Sequence, residues 1–142
     1  MEISDVRKKL LETIDRARRA TSDRRARVDA AERDYEIFLN RVAAPLFRQV
    51  ANVLRAEHYP FSVSTPGGSV RLMSDRSSQD YIELGLDTSG AVPQVLGRTS
   101  RGRGRRIVES ERPVREDVPV DELTEADVLA FLCQELEPFV EK

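Results

Sequence analysis

Tryptophan is absent from this chain of 142 residues, and cysteine and histidine occur once each, as Cys133 and His58. A single thiol closes no internal disulfide, so a disulfide-stapled secreted scaffold is excluded and a reducing, cytoplasmic setting is expected. One histidine and one cysteine leave too few ligands for a transition-metal site; no metal and no other cofactor is expected. No apolar run approaches the roughly 18 residues that a membrane span takes, so no membrane contact is expected. The opening MEISDVRKKL lacks the apolar core of a signal peptide. No nucleophile stands beside a plausible base, and no residue is assigned a catalytic role.

Charge is plentiful: 34% of residues are Asp, Glu, Lys or Arg, with a net charge of −2. That near balance hides an asymmetry. Residues 1–27 hold nine Lys/Arg against five Asp/Glu, whereas residues 107–142 hold three against eleven. A basic first part and an acidic last part can attract each other, within one chain or between copies, or mark a partner surface. The length suits one domain with its own core.

The chain is organised around residues 28–54. At 100° per residue, Val28, Ala31, Tyr35, Phe38, Leu39, Val42, Leu46, Val50, Val53 and Leu54 share one face, and Asp29, Arg33, Glu36, Arg41, Arg48 and Arg55 lie opposite. Ile37 alone is badly out of place. Residues 2–27 repeat the pattern through Ile3, Val6, Leu10, Ile14, Ala17 and Ala20, with Ser4 or Asp5 as the cap, and this stripe falls at the same angle. Agreement of phase predicts one helix from Ser4 to Glu57; a hairpin breaking at Thr21-Ser22-Asp23 is the alternative. Such a helix is about 80 Å long at 1.5 Å per residue, while a compact chain of this size has a radius of gyration near 14 Å. Residues 1–27 are therefore expected to form an arm, projecting or folded back, and residues 28–142 a single α+β domain. Pro45 removes a helical hydrogen bond, and because the stripe resumes at Leu46 a kink is expected there rather than a stop.

From Pro60 the period changes to two. Phe61 and Val63, then Val70 and Leu72 across Pro66-Gly67-Gly68, read as a hairpin. Ile82, Leu84 and Leu86 make the third strand, and Val92, Gln94 and Leu96 are expected to share one side of the fourth. Pro93 argues that the fourth strand is an edge or carries a bulge. Arg106–Glu111 is the fifth, completing an antiparallel meander of about five strands. A last helix is announced by Thr124-Glu125-Ala126-Asp127, with capping-box spacing, and by a Leu123–Val128 staple. Its apolar face is expected to hold Val128, Leu129, Leu132, Cys133, Leu136, Phe139 and Val140, packing on the sheet, with Pro138 kinking or ending it. Cys133 is read as a small buried hydrophobe, and His58 as a helix-end residue with a structural role.

Two surfaces are candidates for function. The apolar positions Ile3, Val6, Leu10, Ile14 and Ala17 of the arm are expected to pair with a second copy, giving a dimer through a coiled coil, or with a protein partner. Arg98, Arg101, Arg103, Arg105 and Arg106, spaced by glycines, read as a flexible Arg/Gly loop. With the basic helix face of Arg18, Arg24 and Arg25, that loop could follow a nucleic-acid backbone. The leading expectation is a non-catalytic interaction protein, with nucleic-acid binding as the alternative. A small-ligand binder or enzyme using the loops Thr65–Ser69 and Asp75–Asp80 comes third.

Overall fold

The computed structural model describes residues 1–141, and the chain divides into two compact units, Met1–Ala30 and Ala31–Lys142. Helix α1 spans Ile3–Phe38 without interruption. Thr21-Ser22-Asp23 is therefore helical, and the hairpin alternative is set aside. Thr21 adapts by donating its hydroxyl to the Ala17 carbonyl at 3.1 Å, the back-bond open to a threonine inside a helix. Asp15 and Arg19 pair at 2.9 Å one turn apart. Ser4 and Asp5 do not cap: the first turn closes on the Glu2 carbonyl, which accepts from the Asp5 and Val6 amides.

In the second unit α1 ends in a π turn, Leu39–Ala43, and helix α2 follows at Ala44–Ala56. The Ala44 amide reaches back five residues to the Leu39 carbonyl. The expected disturbance at Pro45 thus takes the form of a widened turn just ahead of the proline. One added residue advances the helix face by one position. Leu46 is buried and Val50 and Leu54 pack against the core as expected. Phe47 and Ala51 are buried beside them, whereas Val53, expected on the buried face, is 63% exposed. Helix α2 ends on a left-handed residue, His58 at φ 71°. There the Tyr59 amide bonds to Leu54 at 2.8 Å and the His58 amide to Arg55 at 3.1 Å, the Schellman pattern usually built on glycine.

Five strands follow: β1 Phe61–Ser64, β2 Val70–Ser74, β3 Tyr81–Asp87, β4 Gln94–Arg103 and β5 Arg106–Pro113. They form one sheet in the order β1-β2-β3-β4-β5, each pair antiparallel, as the meander predicted. Strand β4 begins after Pro93 and is bonded on both sides, so it is neither an edge nor bulged by that residue. Val95, not Leu96, faces the core. Register explains this: Val95 lies opposite Leu86, Gly97 opposite Leu84, and Thr99 opposite Ile82.

Helix α3, Glu125–Val140, covers the same sheet face as α2. Its capping box forms in both directions: the Asp127 amide donates to Thr124 Oγ1 at 3.2 Å, and the Thr124 amide to Asp127 Oδ2 at 3.0 Å. Leu123 and Val128 are both buried. Pro138 lies inside the last turn, and the helix continues to Val140. The buried face is Val128, Phe131, Leu132 and Leu136, while Leu129 and Cys133 point outward. Cys133 is therefore exposed, not buried. The deciding residue is Gly97: a Cβ there would lie 1.9 Å from Phe131 Cζ, so the missing side chain is the notch that admits the ring. Arg112 closes it from the sheet side, its guanidinium 4.5 Å from the ring centroid and its Nε 2.5 Å from Glu135. Tyr35 completes the helix layer. Its hydroxyl donates to the Leu84 carbonyl at 3.4 Å, and burial, aided by the Glu83 charge, pushes its pKa up to about 12.

Candidate functional site

The residues singled out by charge and periodicity fall in both units. In the Met1–Ala30 unit, Ile3 is 87% exposed, Leu10 58%, Ile14 44% and Val6 41%. Ala17 is exposed as well, and so are Arg18, Arg24 and Arg25. Leu11, 54% exposed, widens the apolar strip on one flank. Ile14, Ala17, Arg18, Thr21, Ser22 and Arg25 border one shallow depression on the helix surface, so apolar and basic residues adjoin there.

In the second unit the Arg/Gly stretch is not a loop. Arg98 to Arg103 continue β4, Arg106 starts β5, and only Gly104 and Arg105 turn between them. Gly104 takes the first turn position at φ 64°, which glycine adopts freely and two-residue hairpin turns require. The alternating Arg-Gly spacing is thus a strand pattern, with small residues on one face and arginines on the other. Strand β3 pairs with β4 only as far as Ser100, so Arg101 to Val108 form a two-stranded ribbon past the end of β3.

The five arginines are not one set. Arg98 lies opposite Glu83 on one side and Glu111 on the other, and its Nη2 is 3.8 Å from Glu111 Oε1. With Arg71, whose Nε is 3.1 Å from Glu83 Oε1, it completes an alternating ladder Arg71-Glu83-Arg98-Glu111 across the helix-free face. Arg101, Arg103 and Arg106 lie on the opposite face, Arg103 directly across from Arg106, and Arg105 occupies the turn. Among the described residues no carboxylate lies within 4 Å of these four.

The base of the ribbon is fastened by residues that periodicity did not single out. The Gly102 amide donates to Asp80 Oδ1 at 2.8 Å and the Ser100 hydroxyl to the Gln79 carbonyl at 2.8 Å. The Asp75–Asp80 loop therefore braces the hairpin. At its start, Asp75 accepts from Ser62 at 2.5 Å and from Arg55 at 2.7 Å, and these bonds, the Ser62 hydroxyl foremost, hold its carboxyl below the ordinary range. The Thr65–Ser69 segment is a turn, with Gly67 and Gly68 at φ 52° and 84°. On the helix-free sheet face Glu83, Asp87, Arg98 and Glu111 wall a shallow cleft over Gly85. Among the described residues no group of three His, Cys, Asp or Glu is arranged to hold a metal ion, and no helix is long and apolar enough to cross a membrane.

Compared with known protein families, with curated proteins and with solved structures, the chain matches none.

Proposed function

We propose that this protein works by self-association, with the Met1–Ala30 helix pairing against the same helix of a second copy. The observation that carries the proposal is the exposed strip Ile3, Val6, Leu10, Ile14 and Ala17 on a helix whose residues through Arg27 are all exposed. In proteins most helical stability comes from packing of an apolar face rather than from intrinsic propensity, and along this stretch that face is exposed. Two features favour a second copy in antiparallel orientation. Residues 1–15 hold three Lys/Arg and four Asp/Glu, whereas residues 16–30 hold six and two, so antiparallel pairing sets unlike halves together and parallel pairing sets the basic halves side by side. The same arrangement places the bulky Ile3, Val6, Leu10 and Ile14 over the small Ala17, Ala20 and Thr21, as interdigitating side chains require.

Sedimentation equilibrium of the full chain at tens of micromolar tests this. A dimer is expected, dissociating to monomer in the Leu10→Asp, Ile14→Asp double variant. A strict monomer at that concentration overturns the proposal. Orientation is read from cysteines placed singly at Ile3 or Val28 and mixed in a Cys133→Ser background. Cross-linking between 3 and 28 supports antiparallel pairing, and 3-to-3 linkage refutes it.

A further inference from the structure

We propose that the ribbon Arg101–Val108 is a nucleic-acid contact that enters a groove of duplex DNA, its arginines engaging the flanking phosphates. This stands apart from the self-association of the helix.

The ribbon carries a cost that internal structure does not recover. Like charges directly opposite on paired strands are destabilising, yet Arg103 faces Arg106, with Arg101 on the same side and Arg105 between them. Neighbouring carboxylates do not relieve the repulsion. Asp80 and Glu141 line the same depression as Arg101 and Arg103, but Asp80 Oδ1 is taken by the Gly102 amide, and among the described residues neither carboxylate comes within 4 Å of these arginines. The rest of the unit is acidic: outside the ribbon, residues 31–142 hold ten Lys/Arg against nineteen Asp/Glu. A polyanion is therefore attracted at this point and repelled around it, which orients its approach.

Shape selects a duplex. The major groove is about 12 Å wide and 8.5 Å deep and admits a two-stranded ribbon. Here three residue pairs, Arg101↔Val108, Gly102↔Ile107 and Arg103↔Arg106, extend past β3, a length of about 10 Å at 3.4 Å per residue. Gln79 and Asp80 still flank Gly102, and the tip from Arg103 to Arg106 is exposed. Val108, 44% exposed, shares the arginine face and offers an apolar contact of the kind that meets a thymine methyl. The ribbon itself carries no aromatic side chain, the usual anchor of a protein–protein hot spot, and Phe139, which lines the adjoining depression, is engaged edge-on with Phe61 at 6.0 Å. Nor is the ribbon a loose tail: the bonds from Ser100 to Gln79 and from Gly102 to Asp80 hold its base, so little ordering has to accompany binding.

The test is fluorescence anisotropy of a labelled 20-base-pair DNA with the full chain, from 50 to 200 mM salt. Four arginines on phosphates give a slope of about −3.6 in log affinity against log salt, a loss of about 150-fold over that range. Replacing Arg101, Arg103, Arg105 and Arg106 together by Ala should weaken binding at least tenfold at 50 mM and flatten the slope. Arg103→Glu guards against a folding artefact, because it sets opposite charges across the ribbon and should leave the urea midpoint unchanged or higher while weakening DNA binding. Absence of binding at 50 mM salt overturns the inference. So does full retention in the four-alanine variant, which would move the contact to Arg18, Arg24 and Arg25. Competition by polyglutamate as effective as unlabelled DNA at equal charge also overturns it, and would reassign the ribbon to acidic proteins.

Discussion

The two units share a helix and a periodicity but not an environment. In Met1–Ala30 the strip of Ile3, Val6, Leu10 and Ile14 faces solvent. In Ala31–Lys142 the continuing face of Ala31, Tyr35 and Phe38 is buried in a core closed by the sheet and α3. An apolar stripe states that a helix wants a partner; it does not say whether the partner is the same chain. Side-chain size carries part of the answer, since the buried part contributes Tyr35, Phe38 and Phe47 to the core while the exposed part declines into Ala17, Ala20 and Thr21.

The contrast is sharpest at the core aromatics. Phe131→Ala should cost the second unit about 3–5 kcal/mol in urea unfolding, because it empties a site that is 2% exposed. Leu10→Ala, measured at a dilution where the chain is monomeric, should change the same unfolding by less than about 0.5 kcal/mol while abolishing the dimer at tens of micromolar. Equal costs would break the distinction between the units. Next in size is Gly97→Val, which drives a side chain into the Phe131 ring and should cost about 3 kcal/mol. Adding Phe131→Leu to it should recover part of that loss, as expected for two residues in contact.

Thr124→Ala should cost about 1 kcal/mol through loss of the capping box. It should also change the acid limb. The Thr124 amide, then the Thr124 hydroxyl and Arg115, hold the Asp127 carboxyl below its ordinary value against a smaller opposing effect of burial. A depressed folded pKa stabilises above the unfolded value of about 3.9 and loses that contribution as pH falls through the lower folded value. Unfolding followed between pH 5 and 2 should therefore show a shallower loss in Asp127→Asn than in the parent chain. The smallest effect is expected at His58. Glycine relieves the left-handed strain at φ 71° but adds freedom to the unfolded chain, so His58→Gly should raise stability by less than about 1 kcal/mol.

Much of this architecture can be read from spacing. The period-two segments fall where β1, β2, β3 and β5 occur. Thr124 with Asp127 marks the start of α3, because a cap is a local hydrogen-bonding arrangement within four residues. The candidate sites were legible as positions but not as shapes. Arg98 to Arg106 stood out by charge, yet glycines on alternate positions imitate a flexible loop, and only pairing with β5 makes them a strand face.

Composition and periodicity by themselves determined that this chain would hold a long helix, an antiparallel sheet and a capped last helix, since each depends on neighbours in sequence. The tertiary structure decided the rest. The π turn before Pro45 brought Phe47 and Ala51 into the buried face of α2 beside Leu46 and left Val53 out. The notch at Gly97 turned α3 so that Phe131 went in and Cys133 stayed out. Register took Arg98 away to Glu111 and left four arginines on the ribbon with no carboxylate within 4 Å among the described residues. In each case the choice rested on the shape or charge of a surface distant in sequence, which local spacing does not encode.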